Sequence, residues 1–336
     1  MRGLVRRRLL LLPVTLFGVT VITFLAIHLI PGDPAEIYAG GPLAPPEAVE
    51  AMRARLGLDQ PLYVQYLSYL GRLIRGDLGT SLFTGKLVST EILERLPASL
   101  ELSVAALIVG VPIGAALGVL AATRRDRGTD HLARTLALTG LSLPSFWLAL
   151  LLVWLFSVKL GWFPFGSRLP AFADVEARSG FVIVDSVLAG DFGLTLQALR
   201  HLFLPAITLA VIPIALTARY LRNAFAEELS APYIRTARAF GLPERLIVWR
   251  FALKNAMLPL VTLLGVLLPA LLAGAVLVEV VFSWPGLGTY LLLAIQSRDY
   301  AVVQAVTLFL AVAYVLASLV VDLSYGLLDP RVRESQ

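Results

Sequence analysis

Six runs of mostly apolar residues, each 20 to 25 long, constrain this chain more than anything else in it: 9–30, 101–122, 133–157, 202–221, 257–279 and 302–325. About 20 such residues wound as a helix cross a hydrocarbon core roughly 30 Å thick. Helix is the fitting conformation, because a lone strand or open sheet leaves its backbone polar groups unpaired in lipid. Strand-length segments of alternating polarity are missing as well. The chain is 58% hydrophobic and 15% charged, against about 45–50% and 25% in a soluble domain. A soluble enzyme, a disordered tail and a disulfide scaffold are thereby excluded, and the fold class is an all-α membrane protein with six transmembrane helices. With no cysteine and three scattered histidines, His28, His131 and His201, thiolate chemistry is ruled out and little remains for a metal site.

The first run follows Arg2, Arg6, Arg7 and Arg8, as a signal peptide would. A signal core is 7–15 residues long and ends at small residues. This one covers 22 and ends in His-Leu-Ile-Pro-Gly-Asp-Pro, so it is expected to be an uncleaved anchor. Basic residues set the orientation. With the N-terminus inside, the inner segments and their helix ends hold 17 of the 28 lysines and arginines. The expected order is a cytoplasmic N-terminus (1–8), the first span (9–30), an extracytoplasmic loop with amphipathic helices (31–100), a five-helix core (101–325) and a cytoplasmic C-terminus (326–336). The core includes the inner loop 222–256. The net charge of +5 follows from this loop asymmetry and does not point to nucleic acid; the partner it implies is membrane lipid.

In the outer loop, segments 47–56 and 62–75 carry apolar residues at helical spacing, and both are expected as short helices on the outer face. Segment 181–184, Phe-Val-Ile-Val, is expected as a strand. Glu101, Glu279 and Asp322 stand near run ends, where a carboxylate reaches the interface cheaply, and are read as interfacial anchors. Ser142, Pro144 and Ser145, and likewise Pro205, Pro213 and Pro269, are expected to break their helices. The stretch 79–87 resembles a P-loop, but its glycines are one residue too far apart and no Ser or Thr follows Lys86, so ATP is not expected to bind there. Neither His-Glu-x-x-His nor Gly-x-Ser-x-Gly occurs, and no catalytic site is expected.

The inner loop is the informative stretch. Ser230 suits a helix cap and Pro232 its first turn; ten residues on, Gly241 suits a C-terminal left-handed position. So short a helix is marginal in water and needs a partner. Tyr233, Ala237 and Phe240 share one face of it. The same residues suit a helix resting on lipid headgroups or one docked into another protein.

This loop is similar to the inner-loop signature of ABC-transporter permeases. Arg235-Thr236-Ala237 stands where the signature has Glu-Ala-Ala, Gly241 supplies its glycine and Leu258-Pro259 its closing pair. The departures match the peptide-transport branch, whose Tyr-x-x-x-Ala-Arg-Ala-x-Gly-Leu begins here at Tyr233. Further motifs resemble that family along the chain: 28–34 (HLIPGDP), 56–61 (LGLDQP), 75–79 (RGDLG), 282–288 (FSWPGLG), 298–300 (RDY) and 329–331 (DPR).

The resemblance implies a type I importer permease in the bacterial cytoplasmic membrane, forming half of a path for dipeptides or short oligopeptides. It implies a heterodimer with a second, homologous permease, two cytoplasmic ATPase subunits that hold ATP and Mg, and an extracytoplasmic peptide-binding protein. This chain itself needs no cofactor. Nickel, glutathione and oligosaccharide are alternative cargoes of the same class; a stand-alone ion-coupled transporter is the alternative from another class. Tyr233, Arg235, Ala237, Arg238, Phe240 and Gly241 are expected to couple to the ATPase, the arginines meeting an acidic rim and the small residues permitting close approach. Residues 282–288 are expected to form a tight turn at an extracytoplasmic gate, with Pro285-Gly286 turning the chain and Trp284 at the interface. The outer helices are expected to cover the mouth and help dock the binding protein.

Overall fold

The computed structural model describes residues 2–29, 32–41, 43–123, 128–170, 173 and 178–328. The 329–331 motif, Arg124, Arg125 and Arg127, and the side chains of Arg2, Arg6, Arg7, Arg8, Leu258, Pro259 and Asp322, lie outside the described residues. Apart from one isolated bridge between Thr80 and Leu87, the regular structure of the described residues is helical.

Helix α1 (Arg2–Leu29) is followed by three short helices, α2 (Pro34–Tyr38), α3 (Pro46–Leu56) and α4 (Leu62–Ile74). Then come α5 (Val88–Thr123), α6 (Gly128–Ser142), and α7 (Ser145–Leu152), which a π-helical turn prolongs over Val153–Lys159. Short α8 (Val182–Leu188) precedes the long α9 (Phe192–Ser230). The inner loop holds α10 (Pro232–Ala239), α11 (Glu244–Leu246), a π-helical turn over Ile247–Ala252, and α12 (Leu253–Ala256). The chain continues through α13 (Leu258–Gly274), α14 (Val276–Val281), α15 (Leu287–Gln296) and α16 (Tyr300–Leu328).

Four of these helices, α1, α5, α9 and α16, contain stretches long and apolar enough to cross a membrane. The other two apolar runs are assembled from pieces. Run 133–157 divides at Pro144, whose extended backbone (φ −60°, ψ 128°) precedes α7; a proline disfavours helix in the residue before it. Run 257–279 is shared between α13 and α14. Pro205, Pro213 and Pro269 do not break their helices, contrary to expectation: they lie inside α9 and α13. Both α9 prolines are buried, where packing from neighbouring helices holds the backbone in place.

The bundle is built around α5 and α9, which run parallel. Gly110, Gly114 and Gly118 form a stripe of small residues along α5. A methyl group at each would stand 2.9 Å from the Ala210 carbonyl, 2.6 Å from that of Ile214 and 2.8 Å from that of Ala218. Spacing of this kind lets two helix backbones approach closely in lipid. Near the loop 222–256 the pair is tied to α6 by a fork: Arg222 Nε and Nη2 donate to Asp130 Oδ1 and Oδ2, each at 2.7 Å. One apolar core fills the opposite half, around α5, α7, α9 and α14; a second joins α1, α5, α15 and α16. A third lies under α10.

Segment 181–184, expected as a strand, enters helix α8. Tertiary capping decides this: Ile183 N–H donates to Glu101 Oε1 at 2.9 Å. Arg168 Nη2 reaches Glu101 Oε2 at 2.5 Å, so Glu101 is no interfacial anchor but a paired group joining α5 to the loop before α9.

Candidate functional site

At Ala231 the backbone leaves the helical region (φ −62°, ψ 148°) and ends α9. Pro232 then opens α10 at a position where its missing N–H costs nothing. Ser230 does not cap this helix; its hydroxyl donates back to the Glu227 carbonyl at 2.7 Å, and α10 has no side-chain cap. Gly241 takes the left-handed conformation (φ 73°). There the amides of Gly241 and Leu242 close onto the carbonyls of Arg238 and Ala237, which satisfies carbonyls at the helix end.

The partner that holds α10 is the chain's own. Ile234 and Ala237 turn inward and pack with Leu221, Phe225, Ile247, Ala252 and Ala256. Ala237 is therefore small because α9 and the π-helical turn lie against it, not to admit an external partner. Outward stand Tyr233, 39% exposed, and Phe240, 81% exposed, with Arg235 between them. The two arginines expected to act together differ: Arg238 Nη2 is held by Glu244 Oε1 at 2.6 Å, whereas Arg235 has no ion pair among the described residues. The Tyr233 phenol donates to Glu228 and accepts from Asn255 Nδ2 at 3.1 Å. Burial and the Glu228 carboxylate push its pKa above the usual tyrosine range. It stays a neutral donor, and α10 is stitched to the end of α9.

The second expected site, 282–288, is the tight turn anticipated, with Ser283 at positive φ (49°); Ser283 and Pro285 are exposed, but Phe282, Trp284 and Leu287 are buried. Trp284 is 1% exposed, and its indole Nε1 donates to the Ala98 carbonyl at 2.8 Å. It is a core anchor, not an interface aromatic. Glu279, read as an interfacial anchor, is fully buried. Its carboxylate accepts from Ser99 Oγ at 2.6 Å and from the Thr289 amide at 2.9 Å. Gly286 leaves room for this: a Cβ there would stand 2.3 Å from Glu279 Oε1. Pro285-Gly286 so carries the chain over a buried carboxylate that fastens α14 and α15 to α5. Hydropathy missed it, since a carboxylate at a run end has the same signature whether it faces water or a serine.

The remaining motifs converge beside this turn's end of α16. Asp299 is buried and accepts from Ser81 Oγ at 2.7 Å, and its Oδ1 accepts from the Val302 amide at 3.4 Å. Tyr38 donates to the Ser297 carbonyl at 3.0 Å, and Gly32 lies against the Arg298 guanidinium, which leaves no room for a side chain. Glu91, also buried, accepts from Tyr290 at 2.6 Å and Thr84 at 2.9 Å. These contacts thus brace the 31–100 segment against the last two helices. Among the described residues no group of acidic, histidine or cysteine side chains could hold a metal.

Residues 114–334 match the family described as the binding-protein-dependent transport system inner membrane component, and residues 1–103 match the N-terminal part of such membrane components. The chain is 47% identical over 336 residues to a di/tripeptide transport system permease of Pseudomonas aeruginosa, covering 100% of both. It is 47% identical to a probable D,D-dipeptide transport system permease of Escherichia coli, across 98% of this chain and 97% of that one. A glutathione transport system permease of Escherichia coli is 40% identical across 99% of both. An all-helical chain with apolar helices of membrane length, matched along both halves, belongs to the inner-membrane permease components of binding-protein-dependent transport systems.

Proposed function

We propose that the chain is one permease half of an ATP-driven importer carrying dipeptides or short oligopeptides across the bacterial cytoplasmic membrane. It crosses six times with both termini in the cytoplasm, and a second, homologous permease supplies the other half of the path. Two cytoplasmic ATPase subunits bind ATP and Mg and perform the hydrolysis, and an extracytoplasmic peptide-binding protein delivers the cargo. This chain makes and breaks no covalent bond; its work is conformational.

The observation that carries this reading is α10: a helix of eight residues fixed to α9 by Ile234 and Ala237, presenting Tyr233, Arg235 and Phe240 outward. A push on that face reaches α9, a continuous helix of 39 residues. Through the glycine stripe it reaches α5. Phe240→Ala with Arg235→Glu is expected to leave the chain folded and inserted while ATPase subunits no longer co-purify and uptake is lost. Full retention of the complex and of uptake would overturn the coupling role. Peptide cargo is supported by the relatives at 47% identity; the glutathione permease at 40% favours a second cargo of the same importer class. Uptake of labelled dipeptide against glutathione in cells carrying the whole system separates the two.

A further inference from the structure

A cavity of about 210 Å³ lies between the C-terminal end of α1, the turn 56–60, α4 and the start of α16. No acidic side chain lines it; His28, Ser68, Arg72, Tyr300 and Gln304 do. Gln304 is only 7% exposed, and its amide has no hydrogen-bond partner among the described residues. Its side chain lines the cavity, where a ligand can reach the amide. Arg72 likewise has no carboxylate partner among the described residues. His28 Nδ1 faces the Phe24 carbonyl at 2.7 Å and Nε2 faces Gln65 Oε1 at 3.1 Å. Gln65 Nε2 donates to the Gln60 carbonyl at 2.8 Å, which fixes the direction of that amide. Both imidazole nitrogens are thus engaged within the chain and neither is left for a ligand.

We propose that this cavity holds the phosphate of an anionic lipid headgroup from the leaflet at that end of α1. The chemistry selects an oxyanion: one free guanidinium, an unpaired amide, hydroxyls and no carboxylate. The volume is ample for a phosphate group. A lipid is favoured over free phosphate by exposed apolar side chains on α1 and α4. Leu25 and Leu29, next in sequence to the lining residues Phe24 and His28, are exposed, as are Tyr63 and Leu67 beside Val64 and Ser68. These offer acyl chains an apolar surface on the two helices that line the cavity. The site is peripheral to the coupling helix and independent of the cargo assignment.

Native mass spectrometry of the full chain, purified with its accompanying subunits, tests this with phosphatidylglycerol, phosphatidylcholine and inorganic phosphate as probes. The wild type is expected to retain phosphatidylglycerol over phosphatidylcholine. Gln304→Met should lower retention of both lipids, and Arg72→Gln should reduce that preference by about fivefold, the worth of one basic contact to an anionic headgroup. Arg75→Gln, an exposed arginine that does not line the cavity, should leave it unchanged. An Arg72→Gln protein with the wild-type preference would overturn the site. Displacement of the lipid by millimolar phosphate would assign it to a free anion and overturn the lipid.

Discussion

Two glycines, Gly241 after α10 and Gly286 in the 282–288 turn, are both needed, for opposite reasons. At Gly241 the backbone is left-handed, φ 73°, yet nothing lies within 4 Å of where a Cβ would be. At Gly286 the backbone is extended, φ −98° and ψ −175°, which any residue adopts, yet a Cβ would meet the Glu279 carboxylate at 2.3 Å and Ser99 Oγ at 2.4 Å. One glycine is there for conformation, the other for room. The same contrast separates the aromatics beside them, Phe240 turned out and Trp284 turned in. The end of α10 keeps its surroundings open; a turn that braces helices fills them.

The aromatic pair gives the largest expected effect. Trp284→Ala removes a buried indole and its hydrogen bond to Ala98, and should destabilise the chain by about 4 kcal/mol. Phe240→Ala, on an exposed side chain, should change stability by no more than about 0.5 kcal/mol. Thermal unfolding in one detergent, followed by tryptophan-independent far-UV dichroism, checks both. Comparable melting points for the two variants would erase the distinction between the regions. Gly286→Ala comes next, at about 3 kcal/mol, because the added methyl overpacks a buried network. Pairing it with Glu279→Gln should not restore stability, since the clash is with atoms that glutamine keeps.

The contrast between these loops also marks what the amino-acid order reveals. The apolar runs were legible because bilayer thickness imposes a length on them. The break at Pro144 was legible too, since proline acts on the residue before it. Pro205 and Pro213 misled, because whether a proline ends a helix depends on the neighbours that enclose it. In the coupling loop, Pro232 and Gly241 were readable from local backbone chemistry. The inward turn of Ala237 was not, as a small residue reads the same against its own chain or a partner's. Trp284 and Glu279 lie at a run end, where sequence suggests an interface; only the return of α14 and α15 onto Ala98 and Ser99 shows that they are enclosed. The Gly110, Gly114 and Gly118 spacing was present in the sequence as a packing stripe, though the carbonyls it meets, a hundred residues on, were not.

Between the enclosed and the open lies Asp185, at the N-terminal turn of α8, buried although it lies in a short helix between the long apolar ones. Burial raises its pKa, but the Ser179 hydroxyl and the amides of Ser179, Gly180 and Arg178 outweigh that and hold it below the usual value. A carboxyl depressed in the folded state contributes stability above its unfolded pKa, about 3.9. That contribution is lost as pH falls through the lower folded value. Hydrogen exchange of the Ser179 and Gly180 amides should therefore be protected at neutral pH and lose protection as pH falls below about 3.9. Asp185→Asn should lose about 2 kcal/mol of local protection at neutral pH and abolish the acid transition. An unchanged transition in the variant would place its origin in another carboxylate.

Among the glycine substitutions the smallest effect belongs to Gly241. A Cβ in the left-handed region costs about 1 kcal/mol, and the open space around it adds nothing further. Gly241→Ala should therefore melt only slightly below the parent. Asparagine tolerates the left-handed conformation better than alanine, so Gly241→Asn should fall between the two. Gly286 inverts this order: asparagine there adds atoms where even a methyl does not fit, so Gly286→Asn should be less stable than Gly286→Ala. Measuring the four variants together separates the two roles, because relief by asparagine at one position and penalty at the other cannot both come from loss of flexibility. Should Gly241→Ala and Gly241→Asn be equally destabilised, the left-handed turn would not be what the glycine supplies. Its conformation would then have to be fixed by the Arg238–Glu244 pair across it.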